Sequence, residues 1–170
     1  MNQKDNKQIQ VTLLQQNLSS IRKIAGWTAE QLGEKIGVTK QTISNLENSK
    51  TPMTLTQYIA IRSVLDYEIE KNQDNIVLPQ VIDILVDNGG KLDEDNYSEI
   101  KETVEVVATS ATGGKTGESL AKIFMSLLST PNGMRALATL GIMIAQSDIV
   151  IEIANATATK TSGWLKKILK

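Results

Sequence analysis

Five polar side chains stand at helical spacing after a turn early in the chain: Lys40, Gln41, Ser44, Asn45 and Asn48. In a helix that buries Ile43 and Leu46, all five face outward. Exposed helix faces usually carry Glu, Lys and Arg, whereas this one is rich in amides and hydroxyls. Gln and Asn can form paired hydrogen bonds with adenine in the major groove, and Ser or Thr can bond to either type of base pair. The pattern favours a helix that contacts DNA bases over an ordinary polar surface helix.

Two short helices are needed to position this face. Thr28 begins the first helix, and Gln31 stands where it completes a capping box. Gly37 can adopt the left-handed conformation that ends a helix. Thr39 follows, and its hydroxyl can cap the start of the second helix. The spacing predicts a helix–turn–helix unit over residues 28–48.

Residues 14–69 resemble the helix-turn-helix domain of the phage Cro and repressor family, which is also described as xenobiotic-response-element-like. This domain has a five-helix fold. The segments that carry the resemblance are 18–25, 28–48, 46–50 and 55–60. The family commonly has Gly where Ser49 stands. The resemblance covers about a third of the chain, and it implies an all-α fold and sequence-specific DNA binding.

The resemblance also implies a role for each matching residue. Gln41 would be the principal base reader, and Asn45 would read a base one turn further along. Further base contacts are implied for Lys40, Ser44 and Thr42. Phosphate contacts are implied for Thr28, Thr39, Asn48, Ser49, Lys50 and Thr51. Arg22 and Glu47 match a buried ion pair of some family members, which would orient helices rather than contact DNA.

Composition narrows the chemistry that is available to this chain. The 170 residues include no Cys and no His. This excludes disulfides, thiol nucleophiles, zinc sites with thiolate or imidazole ligands, and histidine bases. We therefore expect no enzymatic activity, no cofactor and no metal. The lack of Cys fits a cytoplasmic protein.

Charge bears on how the chain would bind DNA. The net charge is −1, and residues 1–70 hold eight basic and seven acidic residues. One subunit should therefore gain little affinity from phosphate neutralisation. A dimer or tetramer that binds repeated half-sites would compensate, so we expect double-stranded operator DNA and further copies of the chain as partners.

The remaining sequence predicts more helices. We expect a DNA-binding domain at 1–72 (with 1–9 flexible), an acidic helix and linker at 73–98, and a helical oligomerisation and regulatory domain at 99–170. Residues 74–105 carry nine acidic against two basic residues, which predicts a solvated face or one that meets a basic partner. Helices are predicted at 54–70, 76–87, 97–110, 117–129, 131–146, 148–159 and 162–170. The apolar residues expected to mediate oligomerisation are Leu120, Ile123, Phe124, Leu127, Ile149, Ile153, Trp164, Leu165 and Ile168.

Three other interpretations of the second half are weaker. Residues 112–117 partly resemble a phosphate-binding loop after a strand at 104–107, but Thr109 stands where that pattern needs Gly. A self-cleaving Ser–Lys domain is also disfavoured. The sequence lacks the alternating strands of such a domain, and its linker has no Ala-Gly pair. The basic, amphipathic segment 162–170 is too short to bind a membrane well, so docking onto protein is favoured.

Together these features predict a transcriptional regulator of phage or mobile-element type, most simply a repressor that occupies operator DNA. An antirepressor protein is a further candidate partner, and no membrane association is expected. The alternative is a protein-interaction module, such as an antitoxin or adaptor, whose helical second half binds another protein. An enzyme is the weakest hypothesis.

Overall fold

The computed structural model describes residues 3–114 and 117–128, and every regular element in these two ranges is helical. The fold is all-α, as the sequence predicted. The α5 helix runs directly into a π-helical stretch, Asp83–Asp87, which is followed by a single 3₁₀ turn, Gly89–Lys91. The α-helices are α1 Gln3–Ile24, α2 Ala29–Ile36, α3 Lys40–Glu47, α4 Leu55–Lys71, α5 Val77–Ile82, α6 Glu94–Thr112 and α7 Gly117–Leu128.

The first helix is longer than expected. It begins at Gln3, where the sequence predicted flexible chain up to residue 9. Its buried residues recur every three or four positions from Val11 to Ile24, which forms one continuous stripe. Its amino-terminal half also packs on the Gly89–Lys91 turn, because a Cβ atom on Gly90 would lie 3.1 Å from Ile9 Cγ2. Contacts distant in sequence therefore hold a segment that looks unstructured by composition.

One hydrophobic core spans the boundary expected near residue 72. Buried residues of α1 and α4 belong to the same cluster as those of the later helices. Between α1 and α6, Asn17 Nδ2 donates a hydrogen bond of 2.7 Å to Tyr97 Oη. At the other end of α1, Asn75 Nδ2 donates to the Ile24 carbonyl at 2.7 Å. The second half thus packs directly on the helix-turn-helix half. The residues that the second half buries in this core include Val77, Leu78, Val81, Ile82, Leu85, Val104, Val107, Leu120 and Phe124.

This packing corrects part of the expected oligomerisation surface. Leu120 and Phe124 are buried in the chain's own core, and Ile123 and Leu127 are half-buried against it. The α7 helix can pack closely against the segment before α5 because its first residue is Gly117. A Cβ atom at this position would lie 2.5 Å from the Asp74 backbone oxygen. The apolar stripe of α7 is therefore used within the subunit. The other expected residues, Ile149, Ile153, Trp164, Leu165 and Ile168, lie outside the described residues, as do the helices expected beyond 128.

Part of the acidic segment is also used internally. Arg62 of α4 forms two parallel hydrogen bonds with Asp87, Nη1 to Oδ1 at 2.7 Å and Nη2 to Oδ2 at 2.8 Å. Arg62 Nε also donates to Asp66 Oδ1 at 2.9 Å. Within the same segment, Asn88 Nδ2 donates to Asp83 Oδ1 at 2.9 Å. The Arg62–Asp87 bonds attach the π-helical stretch to α4.

The phosphate-loop interpretation meets a direct structural finding, whereas segment 162–170 lies outside the described residues. Residues 104–107, considered as a strand before a phosphate loop, form part of the α6 helix. Of the loop itself, Lys115 and Thr116 lie outside the described residues. Among the helices that the structure describes, none combines the length and the apolar character needed to cross a bilayer.

Candidate nucleic-acid interface

The α2 helix begins and ends as its sequence predicts. Thr28 Oγ1 accepts a hydrogen bond from the Gln31 amide at 3.1 Å, and Gln31 Oε1 accepts from the Thr28 amide at 2.8 Å. These reciprocal bonds form a capping box. At the other end Gly37 has φ of 73°, and the following Val38 amide donates to the Gly33 carbonyl at 2.9 Å. The helix therefore stops in a left-handed turn that glycine adopts without a Cβ penalty.

The turn between α2 and α3 is tight because Gly33 has no side chain. A Cβ atom at this position would lie 2.6 Å from the backbone oxygen of Val38 and 3.3 Å from the backbone carbon of Thr39. The first of these distances is well inside van der Waals contact. Gly33 thus fixes how closely α3 approaches α2, and with it the direction in which α3 projects.

The α3 helix presents the polar face that the sequence predicts. The Thr39 hydroxyl caps the helix by accepting from the Thr42 amide at 3.2 Å. Ile43 and Leu46 are fully buried. On the opposite side, Lys40 and Gln41 are exposed and Ser44 and Asn45 are half-buried. The side chains expected to contact bases therefore share one accessible surface.

Gln41 and Asn45 are coupled to each other. Gln41 Nε2 donates to Asn45 Oδ1 at 2.8 Å, one helical turn further along. This bond leaves Gln41 Oε1 free as an acceptor and the Asn45 amide nitrogen free as a donor. An acceptor beside a donor is the combination that complements the N6 and N7 edge of adenine in the major groove. Thr42 is less available, because the residue is half-buried and its hydroxyl lies 3.0 Å from the Thr39 hydroxyl.

The loop after α3 contains several of the residues that are expected to contact phosphate. Asn48 Nδ2 donates to the Ser44 carbonyl at 2.7 Å. The Ser49 amide donates to Leu46 at 3.1 Å and the Lys50 amide to Asn45 at 2.8 Å, which together form a Schellman turn. Ser49 has φ of 54°, the left-handed conformation that suits the Gly of related sequences. Ser49, Lys50 and Thr51 are exposed.

Arg22 holds three parts of the unit together. Its Nε and Nη2 bind the two carboxylate oxygens of Glu47 at 2.5 and 3.2 Å, and its Nη1 donates to the Trp27 carbonyl at 2.6 Å. Both side chains of the ion pair are only 11% exposed. The pair implied by the resemblance is therefore present, and it connects α1 and the following turn to the end of α3.

Gln15 on α1 also contacts this unit, and sequence reasoning missed it. Its Nε2 donates to the carbonyls of Leu46 at 3.1 Å and Thr51 at 2.7 Å, and its Oε1 accepts from the Met53 amide at 2.8 Å. The only hint in the sequence is a polar residue beside the buried stripe of a helix. Its partners, more than thirty residues away, are not visible in a local pattern.

Charge around the surface is mixed. Lys40 and Lys50 are exposed on α3 and on the loop that follows it, and Glu30 and Glu34 are exposed on α2. Lys35 Nζ lies 4.7 Å from the centre of the Trp27 ring, which gives a cation–π contact. This surface therefore offers few cations for the attraction of an anion such as phosphate.

Known proteins match this part of the chain. A family model described as Helix-turn-helix matches residues 18–72. Antitoxin HipB of Escherichia coli strain K12 is 38% identical over 55 residues, which cover 32% of this chain and 62% of that protein. Antitoxin HipB of Escherichia coli O6:H1 strain CFT073 is 36% identical over 55 residues, with 32% and 58% covered.

The match therefore spans about three-fifths of the length of these curated relatives. No solved structure matches the chain. The family match and the geometry of α2 and α3 agree on the same residues. Residues 18–72 thus match a helix-turn-helix family model of the Cro/repressor type.

Proposed function

We propose that this protein is a sequence-specific transcriptional regulator that acts as a repressor by occupying operator DNA. The observation that carries the proposal is the Gln41–Asn45 amide pair on the accessible face of α3. The pair offers an acceptor and a donor side by side on a helix short enough to lie in the major groove. Lys40 and Ser44 flank the pair and supply further contacts to base edges.

Phosphate contacts would surround this central pair. The first turn of α2 places Thr28 at a helix amino terminus, where unpaired amides and the helix dipole attract an anion. Thr39 holds the equivalent position on α3. On the far side, the exposed loop would meet the backbone of the same groove. That loop contains Asn48, Ser49, Lys50 and Thr51. Such contacts fix the orientation of α3 but carry little sequence information.

We further propose that the protein binds DNA as a homo-oligomer in the cytoplasm of a bacterium, within a phage or mobile-element setting. The near balance of charge in residues 1–70 supports more than one copy on the DNA, because a single copy neutralises few phosphates. Two linked copies gain affinity through the high effective concentration of the second domain. The spacing of the two copies would then set the distance between half-sites.

The test is a footprint of the full-length protein on the DNA upstream of its own gene, with Gln41→Ala as the diagnostic variant. Protection of paired sites about one helical turn apart, or a multiple of it, is expected. Gln41→Ala should weaken operator binding by about 1–3 kcal/mol and leave binding to random DNA nearly unchanged. Gln73→Ala is the matched control, since it removes an exposed glutamine between α4 and α5.

Two outcomes would contradict the proposal. Equal losses of operator and random-DNA binding in Gln41→Ala would show that Gln41 does not read a base. A folded wild-type protein that protects no site at moderate salt would oppose the regulator hypothesis as a whole.

The second candidate is an antitoxin or adaptor that binds a protein partner, with DNA binding secondary. The relatives that match residues of this domain are named antitoxins, which supports it. Purification from the native host distinguishes the two candidates. A partner that copurifies in a fixed ratio favours the antitoxin role, whereas a homogeneous homo-oligomer favours the repressor. An antirepressor would instead bind and release the protein from its operator.

A further inference from the structure

The Gln15 side chain bridges α1 to the main chain at the end of α3 and in the loop that follows. It binds the carbonyls of Leu46 and Thr51 through Nε2 and the amide of Met53 through Oε1. Leu46 and Thr51 offer only acceptors here and Met53 offers a donor, so a single orientation of the amide satisfies all three. The side chain is therefore fitted to hold this loop.

Gln15 is well placed to keep the loop still. It follows Leu14, and Leu14 and Leu18 are fully buried on the same helix, so its own backbone is anchored in the core. The segment that it holds, residues 48–52, is exposed. That segment contains Lys50, the exposed cation nearest the end of α3. A rigid element thus fixes an exposed segment through hydrogen bonds to its backbone.

We propose that Gln15 is a positioning residue for DNA binding, which holds the 48–53 loop so that Lys50 meets a phosphate. This inference rests on the proposed function. Gln15 does not contact DNA itself. Its effect is preorganisation: a loop that is already ordered in the free protein loses less conformational entropy when it binds. Without Gln15 the loop must be ordered during binding, and the Lys50 contact weakens or is lost.

The experiment measures how operator affinity depends on salt concentration for the full-length protein. Gln15→Met keeps the length of the side chain, adds no charge and removes all three hydrogen bonds. We expect the slope of log K against log salt to shrink by about one phosphate contact, as it should in Lys50→Ala. The double variant should lose no more than either single variant, because both act on the same contact. Gln16→Met, at an exposed neighbouring site, should leave the slope unchanged.

Several results would overturn the inference. An unchanged slope with lower affinity would show that Gln15→Met merely reduces the folded fraction. Additive losses in the double variant would show that Gln15 acts apart from Lys50. If Gln15→Met fails to fold, Gln15→Leu replaces it, since Leu also adds no charge and removes all three hydrogen bonds.

A measurement without DNA separates this inference from the proposed function. Hydrogen exchange of the Met53 amide should be several-fold faster in Gln15→Met than in wild type, because its acceptor is gone. Unchanged exchange would overturn the positioning role whether or not DNA binds. Faster exchange in a protein whose wild type binds no duplex would instead place the failure in the proposed function.

Discussion

Single side chains position the candidate site through hydrogen bonds of short and of long range along the chain. Thr28, Gly37 and Thr39 act on neighbours within four positions, so their capping roles were visible in the sequence. Both ends of α2 and the start of α3 follow from those residues. Gln15 acts on residues more than thirty positions away, and no local pattern shows such a partner. Local hydrogen bonding can be inferred from spacing, whereas bonds created by packing need the fold.

Ser49 should be replaceable by Gly with a gain in stability. Its φ of 54° is left-handed, which costs a residue with a side chain about 1–2 kcal/mol. Glycine avoids that strain but loses about 0.5–1 kcal/mol through the greater freedom of the unfolded chain. We expect Ser49→Gly to stabilise the fold by about 0.5–1 kcal/mol, measured by urea unfolding.

The control for this change is Ser63→Gly on the exposed side of α4, where the backbone is helical. That substitution should destabilise the fold by about 0.5–1 kcal/mol. Loss of stability in both variants would show that position 49 is not held in the left-handed conformation.

For whole helices, the sequence predicted the bounds better than the contacts that each helix makes. The bounds of α4 differ from those expected by one residue at each end, and α7 begins at the expected residue, because caps and apolar spacing are local signals. The expected role of Leu120 and Phe124 was wrong, because an apolar stripe looks the same whether it covers its own core or a second copy. Only the arrangement of the helices decides between these uses. The same limit applies to Asp87 in the π-helical stretch, because its bonds to Arg62 of α4 depend on how the helices are arranged.

The π-helical stretch should make stability depend on pH through Asp83. Desolvation raises the pKa of Asp83, and the nearby Asp87 carboxylate raises it further, against the opposing effects of Lys91 and Arg62. The folded state therefore binds this proton more tightly than the unfolded state does. The resulting stabilisation is complete below the ordinary aspartate pKa and is lost as pH rises through the raised value.

Asp83→Asn should consequently raise the thermal unfolding midpoint at neutral pH, since it removes a carboxylate that is repelled by Asp87 and keeps an acceptor for Asn88. The gap from wild type should close as pH falls below the ordinary aspartate range. Asp74→Asn, at an exposed turn residue, is the control for the loss of one aspartate elsewhere on the surface. A gap that is constant with pH would mean that the titration of Asp83 does not contribute.

At the scale of the molecule, α4 offers a surface for the proposed homo-oligomer. Leu55, Ile59 and Tyr67 are 47%, 49% and 60% exposed, and their spacing places them on one side of the helix. Two copies that pair through antiparallel α4 helices would bring Leu55 of each against Tyr67 of the other. The acidic Asp66 and Glu70, near the end of the helix, would then approach the positive amino terminus of the partner helix. A second copy is thus a fitting occupant of this face.

Ile59→Lys should therefore shift the protein towards monomer, because it places a charge at the centre of that pairing. Sedimentation velocity over a range of concentrations measures the shift. Val106→Lys is the matched control, since Val106 is a similarly exposed apolar residue, 48% exposed, on α6. Equal effects of both substitutions, or a wild type that stays monomeric, would count against pairing through α4.

The long first helix has a consequence for how the protein can be taken apart. Val11, Leu14 and Leu18 lie in the one core that also holds residues of α5, α6 and α7. Cutting the chain after α4 would leave part of that apolar stripe bare to water, at about 25 cal/mol for every Å² exposed. We therefore expect the helix-turn-helix unit to be less stable when it is separated from α5, α6 and α7. α6 therefore shares its hydrophobic interior with α1, the helix that supports α3.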